Sequence, residues 1–198
     1  MPDDLQTITP QCGDSLIVID VQNDFLPGGM LAIAEGDQVI APLNRCMAIF
    51  QARGLPVFAT RDWHPANHCS FRSQGGPWPA HCVQGTPGAA FSPTLEVPVS
   101  ARMISKATNP ARENYSDFEG TDLDMQLRAL GVTRVFVGGL ATDYCVLNTV
   151  RDGLKLGYQV YLLVDAIRAV NVDPDDGDKA IAEMVALGAQ LVASGDLA

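Results

Sequence analysis

The stretch from Arg134 to Ala166, RVFVGGLATDYCVLNTVRDGLKLGYQVYLLVDA, decides the fold class. Two apolar runs, RVFVGGLA and QVYLLVDA, flank the segment DYCVLNTVRDGLKLG, which has helical spacing of its apolar residues and closes on a glycine, as helices often do. Continuous apolar runs are typical of strands buried on both faces. A strand, a helix and a second buried strand in this order indicate a parallel sheet covered by helices.

The same alternation extends through the rest of the chain. Four further apolar runs (SLIVIDV, LPVFATRD, ARMISKA and AQLVAS) and three further helical segments (DQVIAPLNRCMAIFQARG, TDLDMQLRALG and PDDGDKAIAEMVALG) complete it. The sequence therefore predicts an α/β fold with three α/β/α layers and a six-stranded parallel sheet. We predict a flexible N-terminal tail over residues 1–14 and a single domain over residues 15–198.

Composition limits the classes of partner. The formal net charge of −10 argues against nucleic acid or an anionic membrane surface, which would repel the chain. The acidic N-terminus does not resemble a signal peptide, and five cysteines without a tight framework are typical of a reduced setting. We therefore expect a cytoplasmic protein with a small-molecule substrate and no membrane association. No pattern sets the oligomeric state, so a homo-oligomer stays open.

Polar residues follow the predicted strands where apolar residues would otherwise continue. They are Asp20, Asp62, Lys106 and Asp165, together with the turn GGLATDYC. Ligands of parallel α/β sheets bind at the carboxyl ends of the strands. The sequence therefore predicts the functional site at this edge of the sheet.

Cys145 is a candidate nucleophile. It follows a strand and two glycines, which predicts a place in the first turn of a helix capped by Thr142 or Asp143. The helix dipole and the free backbone N–H groups there would lower the pKa of the thiol. The alternative is a buried structural cysteine.

Asp20 and Lys106 are the candidate partners of that thiol. A partly buried carboxylate after the first strand has a raised pKa, which suits proton transfer, and a lysine at a buried strand end is normally paired. Each residue also has a structural interpretation: Asp20 as a helix cap or salt-bridge partner, and Lys106 as a snorkelling or salt-bridged side chain. Asp20, Lys106 and Cys145 each follow a different predicted strand. This coincidence favours a catalytic group formed by the three residues.

The segment RDWHPANHCSFRSQGGPWPAHC, from Arg61 to Cys82, predicts a metal site. Asp62 and His64 are two residues apart, so both side chains leave the same face of an extended chain, and His81 is a plausible third ligand. Oxygen and imidazole donors suit zinc, our first choice, and also iron or manganese. Three protein ligands would leave coordination positions open for a substrate.

Other residues of the same loop compete for this role. A closed structural site formed by His64, Cys69, His81 and Cys82 is an alternative, although its spacing matches no usual zinc ribbon or finger. His68 is a further candidate ligand.

Two aromatic residues lie near these polar groups in the sequence. Phe25 follows Asp20, and Trp78 precedes His81. Core filling is the usual role of such residues, but a flat ring held between them would gain stacking energy.

The sequence resembles the nicotinamidase branch of the isochorismatase-like cysteine hydrolases from Ser15 to Ser194. The matching stretches are LIVIDVQNDFLPGG, ATRDWHPANHCSF, WPAHCVQGTPGA, SKATNP with ENYSDFEGT, and VGGLATDYCV. The resemblance implies the isochorismatase-like hydrolase fold and deamidation of nicotinamide to nicotinate and ammonia, usually with pyrazinamide accepted as well. It also implies a cysteine thioester intermediate and a divalent metal ion that orients the pyridine ring.

The resemblance assigns roles to individual residues. The implied catalytic triad is Asp20, Lys106 and Cys145, and the implied metal ligands are Asp62, His64 and His81. The implied oxyanion hole consists of the backbone N–H groups of Ala141 and Cys145, and the implied substrate contacts are Phe25, Trp78, Leu140 and Ala141. Family members also have a cis peptide bond at the position of Leu140 and Ala141.

Three other functions remain as alternatives. An amidohydrolase of N-carbamoyl or ureido compounds would keep the triad but generally lacks the metal ligands. Isochorismatase proper works without the cysteine, whereas Cys145 is present here. A non-catalytic zinc-binding or thiol-sensing module would use the loop from Asp62 to Cys82 and leave Cys145 as a buried bystander.

Overall fold

The structure, a computed structural model, describes residues 7–198 and contains one six-stranded parallel sheet with the strand order β3-β2-β1-β4-β5-β6. The strands are β1 (Asp14–Ile19), β2 (Val57–Asp62), β3 (Arg102–Lys106), β4 (Arg134–Leu140), β5 (Gln159–Arg168) and β6 (Gln190–Val192). The α-helices are α1 (Ile40–Ala52), α2 (Leu123–Ala129), α3 (Leu147–Lys155) and α4 (Asp176–Leu187). The predicted α/β/α fold with a six-stranded parallel sheet is confirmed.

Two apolar clusters cover the two faces of the sheet. Alternate residues of β1 point to opposite faces, as the two-residue period of a strand requires. One cluster joins α1 to the sheet through Leu16, Val18, Leu43, Met47, Phe50 and Phe136. The other joins α2, α3 and α4 to the sheet through Ile17, Ile19, Leu123, Leu127, Val150 and Met184. Strands buried on both faces explain the continuous apolar runs of the sequence.

The register brings the carboxyl ends of β1 to β4 together. Ile19 is paired with Thr60 of β2 on one side and with Gly139 of β4 on the other, and Asp62 is paired with Lys106. Gly139 has a φ of +131°, and a Cβ there would lie 2.1 Å from the carbonyl oxygen of Ile19. Only glycine fits this close approach of β4 to β1.

Strand β5 extends further than the sequence suggested. Asp165, which we predicted at a strand end, lies inside β5, because the strand continues to Arg168. Its carboxylate accepts hydrogen bonds from the backbone N–H of Ser194 (2.8 Å) and the Ser194 hydroxyl (2.6 Å). Asp165 therefore fastens the C-terminal segment and does not belong to the cluster at the ends of β1 to β4.

The predicted N-terminal tail lies partly outside the described residues, which begin at residue 7. Within the described part, Ile8 forms a parallel bridge with Leu197, and Asp14 opens β1. Both Asp14 oxygens accept hydrogen bonds from the Arg134 guanidinium, at 2.6 and 2.5 Å. Ile8 and Asp14 are therefore hydrogen-bonded to the rest of the described chain. The division into a tail over residues 1–14 and a domain over residues 15–198 stays a prediction. Among residues 7–198, no helix is long and apolar enough to cross a membrane.

Candidate active site

Lys106 is the centre of a buried charged cluster at the ends of β1, β2 and β3. Its ammonium group donates to Asp20 Oδ2 at 2.5 Å and to Asp62 Oδ1, and it lies 3.5 Å from Cys145 Sγ. All four residues are buried, with at most 5% of their surface exposed. The structure thus brings together the carboxylate, the ammonium and the thiol that the sequence placed at three separate strand ends.

Burial controls the protonation of Asp20. It raises the pKa of this carboxyl from its ordinary 3.8 to about 6, although the positive charge of Lys106 opposes the shift. The Thr60 hydroxyl donates to Asp20 Oδ1 at 3.3 Å. Asp20 is therefore ionised at neutral pH and is closer than an ordinary aspartate to the range useful for a general base.

The thiol and the ammonium group respond differently to burial. Burial raises the pKa of Cys145 well above its ordinary value, which Lys106 only partly offsets. The predicted lowering of the thiol pKa is therefore wrong for the resting site, because the loss of hydration outweighs the helix dipole. Burial alone would lower the pKa of Lys106, but the charges of Asp20 and Asp62 raise it well above its usual range. The resting site contains a neutral thiol, a charged lysine and an ionised Asp20.

A short helical turn, Thr142–Val146, places Cys145 between β4 and α3. Ala141 occupies the N-cap position, so the predicted cap by Thr142 or Asp143 is wrong. The Asp143 carboxylate instead accepts the backbone N–H groups of Val170 (2.9 Å) and Asn171 (2.8 Å) and fastens the loop after β5. The peptide bond between Leu140 and Ala141 is cis, as the family resemblance implied.

Asp62, His64 and His81 form a compact group of candidate metal ligands. One potential ligand atom from each residue lies within 4.8 Å of those of the other two. Burial alone would raise the pKa of Asp62, but Lys106 and the two imidazoles outweigh it and lower the pKa. Burial lowers the pKa of His64 to about 4. An ionised carboxylate and a neutral imidazole are the forms that bind metals.

Hydrogen bonds fix the tautomers of the two histidines. His64 Nδ1 donates to the carbonyl of His81 at 3.0 Å, and His81 Nδ1 donates to the carbonyl of Pro79 at 2.8 Å. A neutral imidazole in this tautomer carries a lone pair on Nε2, and His64 Nε2 is buried without a hydrogen-bond partner among residues 7–198. A metal ligand typically donates its other ring N–H to a carbonyl in this way. The residues present fit a divalent metal ion.

His68 does not share this arrangement. Its Nε2 donates to the carbonyl of Arg112 at 3.1 Å, so its Nδ1 must accept from the Ser70 hydroxyl at 2.7 Å. Both ring nitrogens are thus engaged within the protein, although the ring centroids of His68 and His64 lie only 4.3 Å apart, with the planes tilted by 35°. The buried His68 supports the loop without a free lone pair for a metal ion.

Two polar side chains from the segment after β1 form hydrogen bonds with residues 61–82, the segment that contains the candidate metal ligands. Gln22 donates to the Asp62 carbonyl and accepts from the Asp62 N–H, both at 2.8 Å. Asp24 Oδ2 accepts the Cys82 N–H at 2.7 Å. These contacts link both ends of residues 61–82 to the segment that follows β1. Our sequence reasoning missed them, although both residues stand in the polar stretch that follows the first strand.

A narrow cavity connects the charged cluster around Lys106 to the candidate metal ligands. The lining residues are Phe25, Leu31, Asp62, Trp78, His81, Tyr115, Ala141, Tyr144, Cys145 and Val170. Leu140, which the resemblance suggested as a substrate contact, is fully buried in the apolar cluster around α1. Ala141, which the resemblance also suggested as a substrate contact, lines the cavity, because the chain leaves the strand at that point.

Our sequence reasoning also missed the aromatic partners of Trp78. The indole N–H donates to the Tyr115 hydroxyl at 3.1 Å, and the Tyr144 ring lies edge-on to Trp78 with centroids 5.1 Å apart. On the other side, the Phe25 ring centroid lies 5.5 Å from that of His81. Tyr144 directly precedes Cys145, which is the one signal in the sequence that could have indicated it. Aromatic side chains thus line the cavity on two sides.

Lys106 is also expected to stabilise the fold. Lys106→Met would leave Asp20 and Asp62 buried without their ammonium partner, so we expect a loss of about 3–5 kcal/mol in the free energy of unfolding. Urea unfolding in the presence of a chelator measures it. The control, Lys155→Met at an exposed position, should change the free energy by less than about 0.5 kcal/mol. Equal effects of the two substitutions would contradict this role of Lys106.

Comparison with known proteins identifies the family. The model of the isochorismatase domain matches residues 14–196. The chain belongs to the isochorismatase family. Within that family it is 42% identical to a nicotinamidase of Escherichia coli K12 over 203 aligned positions, which cover 92% of this chain and 95% of the relative.

Two solved structures of this isochorismatase fold are also similar. The pyrazinamidase of Pyrococcus horikoshii in complex with zinc is 50% identical, with a TM-score of 0.88 and coverage of 91% of this chain and 99% of that chain. The protein PnC1 of L. infantum in complex with nicotinate is 37% identical, with a TM-score of 0.87 and coverage of 96% and 98%.

Proposed function

We propose that this chain hydrolyses nicotinamide to nicotinate and ammonia, and that it also accepts pyrazinamide. One observation carries the proposal: the thiol of Cys145 and the candidate ligands Asp62 and His81 line one narrow aromatic cavity. A flat heteroaromatic amide can present its carboxamide to the thiol and its ring nitrogen to the metal group at the same time. The relatives named nicotinamidase and the neighbour in complex with nicotinate support this substrate class.

The first half-reaction forms a thioester. Asp20 takes the proton of the Cys145 thiol, and the nearby ammonium of Lys106 stabilises the thiolate. The thiolate attacks the carboxamide carbon, and the carbonyl oxygen becomes an oxyanion. Collapse of this tetrahedral intermediate breaks the C–N bond, and the proton on Asp20 passes to the leaving nitrogen, which departs as ammonia.

Backbone N–H groups of Ala141 and Cys145 are the proposed oxyanion hole. Ala141 is the N-cap of the turn Thr142–Val146, and Cys145 lies within that turn. Backbone N–H groups at the start of a helical segment are typical donors to an oxyanion. Removal of one such donor typically costs about 10²–10³ in kcat. The proposed oxyanion hole adjoins the nucleophile, so the same turn positions both the Cys145 sulfur and the N–H donors.

The second half-reaction uses Asp20 again. With the proton gone to ammonia, the carboxylate accepts a proton from water, which attacks the thioester carbonyl. The C–S bond breaks, nicotinate forms, and the proton on Asp20 returns to the Cys145 sulfur. One base thus serves both steps, and all atoms balance as amide plus water giving acid plus ammonia.

Asp62, His64 and His81 are the residues that would hold the divalent ion, with zinc as the first choice over iron or manganese. When bound, the ion supplies a Lewis-acid position that orients the ring nitrogen of the substrate. Phe25 and Trp78 hold the ring from the cavity walls. This arrangement contributes proximity and orientation at the reacting carbon.

His64→Ala is expected to lower the bound metal to well below one equivalent and to raise KM for nicotinamide. The reason is the loss of a buried imidazole whose free Nε2 points at the candidate metal position. Elemental analysis of the purified protein, with steady-state kinetics, checks both effects. His68→Ala is the matched control, because it also removes a buried histidine but leaves metal content unchanged. Full metal occupancy in His64→Ala would remove His64 from the ligand set.

Ammonia release from a panel of amides tests the proposed substrate class. Purified protein is expected to release ammonia from nicotinamide and pyrazinamide, and chelation is expected to weaken the activity until zinc is returned. An N-carbamoyl amino acid and a ureido acid serve as comparison substrates. Turnover of these compounds without turnover of nicotinamide would favour the other branch of cysteine amidohydrolases and would overturn the proposal.

A further inference from the structure

Asp117 is a buried carboxyl group that the proposed mechanism does not use. It lies in the loop between β3 and α2 and has no exposed surface. Among residues 7–198, neither of its side-chain oxygens has a hydrogen-bond partner. Its Oδ1 lies 4.0 Å from Lys106 Nζ. Native proteins leave few buried polar atoms unpaired, so the position beside the central lysine requires an explanation.

Lys106 faces three buried carboxyl groups at once. It donates at close range to Asp20 and Asp62, whereas Asp117 lies at the longer distance of 4.0 Å. One positive charge does not balance three buried negative charges, and neighbouring carboxylates in such a site do not all ionise. Asp117 has the weakest contact with the cation, so it is the group expected to keep its proton.

Every element around Asp117 contributes a polar or charged group. Asp20 follows β1, Asp62 ends β2, Lys106 ends β3, and Cys145 precedes α3. Burial and then the charge of Asp20 raise the pKa of Asp117 well above its ordinary value, while Lys106 and the Thr60 hydroxyl oppose this.

The backbone around Asp117 is fixed independently of its carboxyl group. Its N–H donates to the Thr149 hydroxyl of α3 at 3.0 Å, and its carbonyl accepts from the Thr121 hydroxyl at 2.5 Å. The position of the carboxyl group beside Lys106 therefore follows from the fold and does not depend on a charge on Asp117.

We propose that Asp117 is a positioning residue, a neutral carboxylic acid that holds Lys106 and, through it, Asp20 in the reactive arrangement. The inference rests on the proposed function and deepens it. A neutral carboxyl group places the partial negative charge of an oxygen 4.0 Å from the ammonium group without adding a third full negative charge. The Thr60 hydroxyl donates to Asp20, at 3.3 Å, so its hydrogen is directed to the base and not to Asp117. Asp117 thus helps to keep Asp20 in place and does not compete with it for the proton of the Cys145 thiol.

The test compares Asp117→Asn with Asp117→Leu. The readout is the rate at which iodoacetamide alkylates Cys145, followed by mass spectrometry of the Cys145 peptide, which needs no substrate. Asparagine keeps the shape and the neutral oxygen, so its rate should stay within about twofold of wild type. Leucine fills the space without an oxygen beside the ammonium group, so its rate should fall about tenfold, which corresponds to about 1.4 kcal/mol in activation free energy. In turnover, Asp117→Leu should lower kcat and leave KM unchanged.

Infrared difference spectra provide a second test that does not depend on folding of the leucine variant. At about pH 8, where an ordinary aspartate is ionised, wild type minus Asp117→Asn should show the carbonyl band of a protonated carboxylic acid. Three results would each overturn the proposal. The first is a difference spectrum that shows a carboxylate band in place of the acid carbonyl band. The others are alkylation of Asp117→Asn as slow as that of Asp117→Leu, and alkylation of Asp117→Leu at the wild-type rate. Failure to release ammonia from nicotinamide would overturn the proposed function, while alkylation and infrared spectra still decide the role of Asp117.

Discussion

Replacement of Cys145 by alanine is expected to lower kcat for nicotinamide by at least about 10⁴-fold. The methyl group cannot attack the carboxamide, and the cavity offers Asp20 no other thiol at this position. The fold should persist, because alanine is smaller than cysteine and the contact that is lost with Lys106 is a long one of 3.5 Å. Ammonia release measures the loss, and thermal unfolding checks the fold.

Cys46→Ala is the matched control for this substitution. Cys46 is also a buried free thiol, but it lies in α1 on the opposite face of the sheet from α3. Burial raises its pKa to about 12, so it is chemically inert near neutral pH. The Cys46→Ala variant should retain the wild-type kcat for nicotinamide. Substantial turnover in Cys145→Ala would contradict covalent catalysis by this residue.

Asp20→Asn is expected to lower kcat by about 10²–10⁴-fold, the usual contribution of a general base. The amide keeps the shape of the side chain but cannot take the thiol proton. Alkylation of Cys145 separates this effect from substrate binding. In wild type the alkylation rate should fall as the pH drops through about 6, because Asp20 is ionised above that pKa and protonated below it. The variant should be slow at every pH.

The control for Asp20→Asn is Asp165→Asn. That residue also carries a carboxylate at the sheet, but it binds Ser194 and lies outside the cavity. The control should keep the wild-type rate and pH profile. An Asp20→Asn protein that is alkylated at the wild-type rate would show that another group deprotonates the thiol.

The sheet could be predicted from sequence because each strand is buried on both faces. Six apolar runs and four helical segments became six strands and four helices, and the order of elements required parallel pairing. The end of β5 could not be read, since Asp165 interrupts an apolar run that continues through Ala166 and Ile167. A carboxylate inside a strand requires a distant partner, here Ser194, which the local pattern does not reveal.

Two kinds of sequence signal indicated the candidate site: polar residues that follow strand ends, and the pair Asp62 and His64, which are two positions apart in the sequence. Asp20, Lys106 and Cys145 meet because parallel strands finish at one edge of the sheet. The pKa of the thiol was not predictable, because position favoured the helix dipole, whereas burial decides the shift. Asp117 escaped notice for a similar reason, since only the folded loop brings it within 4.0 Å of Lys106.

Mass spectrometry of the acid-quenched enzyme tests the account most directly. Wild-type protein is mixed with nicotinamide, quenched during turnover and digested, and the Cys145 peptide is examined for added mass. We predict a nicotinoyl group on Cys145, absent without substrate and enriched when thioester hydrolysis is slowed. An unmodified Cys145 peptide throughout turnover, with the nicotinoyl group on another residue, would contradict the account.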